Sequence, residues 1–563
     1  MLSLRRPVVV GGSSVAALGV LLALATGATG EPGSATSPAA YPGGVVGATA
    51  TPTAAPTPSD TSSPTSSGPA STPVAFSAPL AAEPAELAAF YRQRLSWTPC
   101  DDDDASECTD VRVPLDYAEP RGAATTIALR RFAAADPATR RGSLFLNPGG
   151  PGGSGVDFAG EAHELFGEAV SRRYDLIGFD PRGMGESDPV ECLTDSELDE
   201  LYAADPTPDT AWEKAAARRA PRLRNERCLR RGGPLAARMG SEFVARDLDV
   251  LRAAVGDDRL NYYGVSYGTM IGALYADLFT SRVGLMVLDS AVGTDAVTET
   301  DPTQADVDAS ARGWAQDFDD VVDDFATDCG SSVDCPLGED TAAVSQTLVT
   351  FLDRLDRRPL RSGIDSLPRL TEGWAATAIS EGLRDRESWP YLVDALDLAV
   401  NDDNPDDLLG FAMDMTGRDD DGSYPDTTFG RSHLLVSCSD WPIGPWERMS
   451  PSAEVADKHP LWARVEPETT SPCDGWTGVM RETVVVGAEV ATPVLVIGNE
   501  GDDVTPIEQT EAMSHALVRS RFVTVAADGH GAYAVGNDCA DAIVDHYLAD
   551  ALAPEDGYRC GTD

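Results

Sequence analysis

Seven short runs rich in branched and aromatic residues set the fold class of this chain: 125–132 (TTIALRRF), 142–147 (GSLFLN), 174–180 (YDLIGFD), 260–266 (LNYYGVS), 283–290 (VGLMVLDS), 492–499 (TPVLVIGN) and 521–527 (RFVTVAA). Runs that are nearly continuous in apolar residues read as strands covered on both faces, which is how parallel sheets are built. Helical patterns stand between several of them, notably SEFVARDLDVLRAAVG before the fourth run and TMIGALYADLF after it. Strands alternating with helices predict an α/β fold with a doubly wound, mostly parallel sheet. The rhythm stops over residues 296–488, where amphipathic stretches such as ARGWAQDFDDVVDDFA and WPYLVDALDLAV take over. This segment is expected to be a mainly helical cap inserted between two strands. It would sit above the carboxyl ends of the sheet, where α/β folds bind ligands.

The amino terminus sets a different expectation. Residues 1–30 pair Arg5 and Arg6 with an apolar stretch that ends in small residues, the layout of a secretory signal peptide cleaved between Ala25 and Gly30. Residues 31–82 are dominated by Pro, Ser, Thr, Ala and Gly, and are too poor in large apolar side chains to offset the entropy of ordering. They read as a disordered linker. The sheet domain then falls into a first part, 83–295, and a C-terminal part, 489–563, on either side of the cap. Export suits the ten cysteines, an even count with no CxxC pair to suggest zinc. Their order along the chain suggests that neighbours pair: Cys100 with Cys108, Cys192 with Cys228, Cys329 with Cys335, Cys438 with Cys473 and Cys539 with Cys560. Order alone leaves the connectivity open.

A net charge of −48 removes nucleic acid from the partners, since phosphate binding needs a basic footprint. The acidic runs DDDD at 101–104 and RDDDG at 418–422 lack the alternating ligand spacing of a calcium loop and read as solvated turns. No metal and no organic cofactor are expected, no stable membrane insertion once the signal is removed, and a monomer.

The chemistry starts at Gly264-Val265-Ser266-Tyr267-Gly268, directly after an apolar run. A G-x-S-x-G match can mark a strand-to-helix turn that pushes the serine out, but five residues alone also describe an ordinary glycine-bounded turn. Its company decides. A serine nucleophile needs a base, an acid that orients the base, and donors for the oxyanion. The chain has six histidines, and only His515, His530 and His546 follow the strand TPVLVIGN. His515 and His546 fall within helical patterns, whereas His530 follows a strand in the glycine-flanked loop DGHGAY, so His530 is the expected base. Glu500, Asp502 and Asp503 leave the end of TPVLVIGN. Asp502 is the expected acid because Thr505 can hydrogen-bond its carboxylate; Asp503 competes. The glycine-rich loop LFLNPGGPGGSG (144–155) can bring backbone N–H groups up to a substrate, so Gly150 and the N–H of Tyr267 are the expected oxyanion donors. The loop lacks the lysine of a phosphate-binding loop and the spacing of a dinucleotide site. Arg182, in DPRGMGES, is expected to tie loops together through backbone carbonyls.

The motifs NPGGPGGSG, DPRGMGES, YYGVSYGT, GNEGDDVTP and DGHGAY, spread from about Trp97 to the carboxyl terminus, resemble those of exported actinobacterial tripeptidyl aminopeptidases and their proline iminopeptidase relatives. These are serine exopeptidases with the α/β-hydrolase fold. The resemblance implies Ser266 as nucleophile, His530 as base, Asp502 as acid and the GGP loop as oxyanion donor. Asp503 stands where relatives often have proline. It also implies peptide substrates with a free amino terminus, whose α-ammonium needs a carboxylate from the cap. Asp440 in SCSDWPIG and Glu381 in AISEGL are the candidates. A carboxylesterase or lipase would use the same triad. A decayed binding protein would be expected to have lost a catalytic residue, and none is missing.

Overall fold

The computed structural model describes residues 71–561 apart from 75–78, 104, 294–302, 333–334, 385, 425–427, 441–450, 466–471, 480–486, 488, 491 and 503. The expected signal peptide and most of the expected linker therefore lie outside the described residues, as does Asp503. From the end of that linker, Thr72–Pro73 pair antiparallel with Leu552–Ala553.

Ten strands form the main sheet: β1 (Thr98–Pro99), β2 (Glu107–Pro114), β3 (Ala124–Phe132), β4 (Gly142–Asn147), β5 (Tyr174–Phe179), β6 (Leu260–Val265), β7 (Val283–Asp289), β8 (Val494–Gly501), β9 (Ser520–Asp528) and β10 (Tyr558–Cys560). Their order is β10-β9-β8-β7-β6-β4-β5-β3-β2-β1. All pairs from β5 through β4 to β10 are parallel, and the β1–β2, β2–β3 and β3–β5 pairs are antiparallel. All seven runs singled out in the sequence are strands of this sheet. Every residue of β4, β5 and β7 is buried, as double coverage requires.

The two faces bury alternate residues of each strand. Leu144, Leu146, Leu176, Tyr263, Val287 and Ile497 pack with α1 (Gly155–Leu165) and with α13, defined below, while Phe145, Ile177, Tyr262, Met286 and Val496 pack on the other side. That second side carries α4 (Ser241–Ala254) and α5 (Tyr267–Leu278). Between α1 and α4, the β5–β6 connection holds α2 (Asp195–Tyr202) and α3 (Ala211–Ala236). Neither helix is among the sequence expectations. Both begin at a threonine whose third following residue is glutamate, the reciprocal arrangement that satisfies two helix-end N–H groups.

Between β7 and β8 the chain is helical: α6 (Gln304–Ser332), α7 (Thr341–Arg357), α8 (Glu372–Arg384), α9 (Trp389–Asn401), α10 (Asp406–Thr416) and α11 (Thr428–Asp440). Their buried faces, including Phe325, Leu348, Trp374, Leu392 and Leu409, are continuous with residues of α2 and α3 such as Leu198 and Cys228. After β8 come α12 (Ile507–Ala516) and α13 (Asp538–Asp550). The ten cysteines form five disulfides, each between the sequence neighbours named above. Among the described residues no helix is long and apolar enough to cross a membrane.

From β4 the chain moves to β5 on one side and then to β6 on the other. The loops leaving β4 and β6 therefore open a crevice at the carboxyl ends of the strands.

Candidate active site

The residue between β6 and α5 is Ser266, with φ 57° and ψ −129°. A non-glycine residue costs of order 1–3 kcal/mol in such a conformation, so the surroundings must hold it. Ser266 N–H donates to the Asp289 carbonyl at 2.9 Å, and the Thr269 hydroxyl donates to the Ser266 carbonyl at 2.5 Å. The glycine two residues on is needed for contact with the neighbouring loop. A Cβ on Gly268 would lie 2.7 Å from the Asn147 carbonyl oxygen, and one on Gly149 would lie 2.9 Å from Tyr267 N. The glycine-rich loop after β4 is thus pressed against the first turn of α5, which brings Gly150 and the Tyr267 N–H to the same end of the sheet as Ser266. The Ser266 hydroxyl is buried and has no hydrogen-bond partner among the described residues.

Asp502 and His530 meet at the ends of β8 and β9. His530 Nδ1 lies 3.0 Å from both Asp502 carboxylate oxygens, and both side chains are about 1% exposed. The carboxylate also accepts from Val504 N (3.0 Å), Thr505 N (2.8 Å) and Thr505 Oγ1 (3.0 Å). Burial would push this carboxyl upward. The hydrogen bond and charge of His530, with the Thr505 N–H and Ser290, outweigh it and hold Asp502 below its ordinary value. A carboxylate at Nδ1 calls for the proton on that nitrogen, which leaves Nε2 as an acceptor. His530 Nε2 is likewise buried with no partner among the described residues, so it is not hydrogen-bonded to the Ser266 hydroxyl. The two loops are tied through Asp289 and Ser290, which bond Ser266 N on one side and Gly531 N and Ala532 N on the other.

Three residues that the sequence reading did not single out hold the histidine loop. Asn499 donates both protons of its amide, to the Gly529 carbonyl at 2.9 Å and the Gly531 carbonyl at 2.7 Å, and so grips His530 from either side. The Ser290 hydroxyl accepts from Gly531 N at 2.9 Å, while its carbonyl, 3.0 Å from the Thr505 hydroxyl, shares that one proton with Asp502. Asp289 accepts from Ala532 N (2.8 Å), Tyr533 N (3.0 Å) and the Tyr263 hydroxyl (2.8 Å). Burial pushes the Asp289 carboxyl up to about 6 against the pull of these donors. The available signal was a polar residue closing each apolar run, at LDS and GN.

Glu500 is paired with Arg559 at 2.5 Å and stands away from the Asp502–His530 contact. His515 and His546 lie on α12 and α13, each within 4.0 Å of a carboxylate one turn away. Asp440, at the end of α11, is 2% exposed; it accepts from Ser241 N at 2.8 Å and from the Tyr267 hydroxyl, so it touches the residue next to Ser266. Glu381 is buried in α8 and pairs with Arg384 at 3.4 Å. Arg182 is fully buried, and donates to the Leu115 carbonyl at 3.0 Å and the Pro114 carbonyl at 3.1 Å, the loop-tying role expected of it. Its further partner, Asp247, neutralises the charge.

Residues 142–536 match the model of the alpha/beta hydrolase fold. Serine protease Hip1 of Mycobacterium tuberculosis is 32% identical over 501 residues, covering 83% of this chain and 91% of its own. A tripeptidyl aminopeptidase of Streptomyces coelicolor is 31% identical over 461 residues, 78% of this chain and 80% of its own. Carboxylesterase B of Mycobacterium tuberculosis is 32% identical over 483 residues, 83% of this chain and 89% of its own.

Proposed function

Because this chain belongs to the alpha/beta hydrolase family and is a serine hydrolase within it, we propose that Ser266, His530 and Asp502 are its catalytic triad and that it is an exported aminopeptidase releasing tripeptides from free amino termini. The observation that carries the triad is the pair of buried, partnerless atoms, Ser266 Oγ and His530 Nε2, beside an Asp502 that fixes the other ring nitrogen. His530 Nε2 takes the Ser266 proton as the hydroxyl attacks the scissile carbonyl, and the imidazolium is stabilised by Asp502. Backbone N–H groups of Gly150 and Tyr267 hold the oxyanion. His530 then protonates the leaving amine, and water releases the acyl group by the reverse sequence.

The peptidase assignment is supported by two relatives named as a serine protease and a tripeptidyl aminopeptidase. Export is supported by the leader layout and the five disulfides. The helices between β7 and β8 form the cap, bounded by 296–488, and supply the pocket for the substrate's α-ammonium. Asp440 is the first candidate, because it is the carboxylate of these helices that touches Tyr267, the residue next to Ser266. Glu381 is the second candidate.

The test is a panel of chromogenic substrates: free tripeptidyl, N-acetylated tripeptidyl, single-residue prolyl and short-chain ester. Acetylation is expected to lower kcat/KM roughly 10- to 150-fold, the ~1.5–3 kcal/mol of a hydrogen bond to a charged group. A carboxylesterase reading is favoured by the relative of that name at equal identity. Preference for the ester, or indifference to acetylation, would establish it in place of the aminopeptidase.

A further inference from the structure

Away from the triad, three carboxylates from distant parts of the sequence converge. Asp205 lies in the turn between α2 and α3, Asp356 in the last turn of α7, and Glu372 at the first position of α8. One oxygen from each lies within 4.8 Å of the others. Oxygens that each sit about 2.4 Å from a shared calcium ion are at most about 4.8 Å apart, so the three can coordinate one centre.

A second observation separates this cluster from an ordinary acidic patch. Glu372 is only 3% exposed, and its two oxygens are treated unequally. Oε1 accepts from the Thr207 hydroxyl at 3.0 Å and faces Arg464 at 3.4 Å, whereas Oε2 is buried with no partner among the described residues. The helix-end N–H groups beside it cannot serve, because Trp374 N and Ala375 N both go to Thr371. Leaving a carboxylate oxygen buried and unmatched is costly, and an ion, an ordered water or a shared proton has to meet it. The positive charge at hand is divided: Arg464 also pairs with Asp353, and Arg357, which acts on Asp356, lies near Asp353 as well. Burial raises all three carboxyls, Glu372 to about 7; neighbouring acids add to it, Asp205 and Asp356 at Glu372, Asp356 and Glu213 at Asp205, and Asp209 and Glu213 at Asp356.

We propose that Asp205, Asp356 and Glu372 form a structural binding site for a divalent cation of calcium's size. Its donors are hard oxygens, the kind that calcium prefers. The site joins the β5–β6 connection, which carries Asp205, to the helices between β7 and β8, which carry Asp356 and Glu372. The ion pair of Arg418 with Asp199 at 2.7 Å fastens the same two segments. The cation would therefore fix the helical layer rather than take part in acyl transfer.

The test is differential scanning calorimetry of the full chain stripped with chelator, then supplied with calcium or magnesium chloride. Calcium is expected to raise Tm by roughly 2–4 °C, and magnesium by less. Asp356→Asn and Glu372→Gln should each abolish that rise, and Asp356→Asn, which lies nearer the surface, should raise Tm in chelator by relieving repulsion. A wild-type Tm indifferent to calcium, or variants that keep the full calcium response, would overturn the site and leave a water or a shared proton as what meets Glu372 Oε2. A larger rise with magnesium would overturn the assignment of ion size. These readouts do not depend on which substrate the triad cleaves.

Discussion

Buried carboxylates are stabilised in two different ways in this molecule. At the carboxyl ends of β7 and β8, Asp289 and Asp502 take backbone N–H groups from Ala532, Tyr533, Val504 and Thr505. Between the helices, Asp205, Asp356 and Glu372 face one another; Asp205, in its turn, takes a single backbone N–H, from Thr207 at 2.8 Å, and Glu372 finds only a hydroxyl and a shared guanidinium. The difference follows from the backbone. A loop or turn has uncommitted N–H groups that can turn toward an anion, whereas those around Asp356, in the last turn of α7, are spent on the carbonyls four residues back, and those of Trp374 and Ala375 beside Glu372 are taken by Thr371. Acids set on strand ends can therefore be held ionised and aimed, which is what a triad needs. Acids set on helices must look to side chains or to an ion.

The largest effect should come from the strand-end group. Ser266→Ala is expected to lower kcat by ~10⁴-fold or more with the fold unchanged, because the triad acts as a unit. Retention of most activity would place the nucleophile elsewhere. Asp502→Asn should follow, with a loss of about 10⁴-fold in kcat, since the amide favours the wrong tautomer of His530. Glu500→Gln and Asp503→Asn should stay within about twofold, since the proposed triad gives the orienting role to Asp502 alone. The reverse ranking would transfer the acid's role to whichever carboxylate proved sensitive.

A smaller effect tests the loop itself. Asn499→Ala removes both bonds that grip the His530 loop, and should lower kcat by about tenfold with KM little changed. A rise in KM at constant kcat would show that Asn499 shapes the pocket instead of positioning the base.

The smallest effect is a pH slope. Asp180 and Asp289 are pushed up to about 6 and Glu372 to about 7, while carboxyls of the unfolded chain titrate near 4. Between those limits the folded chain holds protons that the unfolded chain has released, so stability falls as pH rises from about 4 to 7. Asp502, held low, acts in the opposite sense only as pH falls below about 4. Tm measured without calcium should therefore decline from pH 5 to pH 8, and Glu372→Gln should flatten the upper part. A Tm that climbs throughout would contradict this.

What could be read from the sequence divides along similar lines. The seven strands were legible because burial on both faces leaves no alternative to an apolar run. Ser266 and His530 were legible because each sits in a glycine-flanked turn after such a run. Ser290 was not, since its bond to Gly531 spans 241 residues and leaves no local pattern. Helix α3 escaped because it is largely polar and carries Pro221 and Pro234, leaving almost no apolar periodicity to detect. The Asp205–Asp356–Glu372 cluster has no ligand spacing at all, being assembled by tertiary contact alone.

The claim on which the rest depends is that Ser266 is the activated hydroxyl, poised by a histidine whose other nitrogen is held by Asp502. The direct measurement is labelling of the intact chain with a fluorophosphonate probe, followed by mass mapping of the adduct and repetition with His530→Ala. A single adduct on Ser266, formed at least about 10³-fold more slowly in the variant, is the expected result. An adduct on another serine, no adduct at all, or labelling of Ser266 at an unchanged rate without His530 would contradict it.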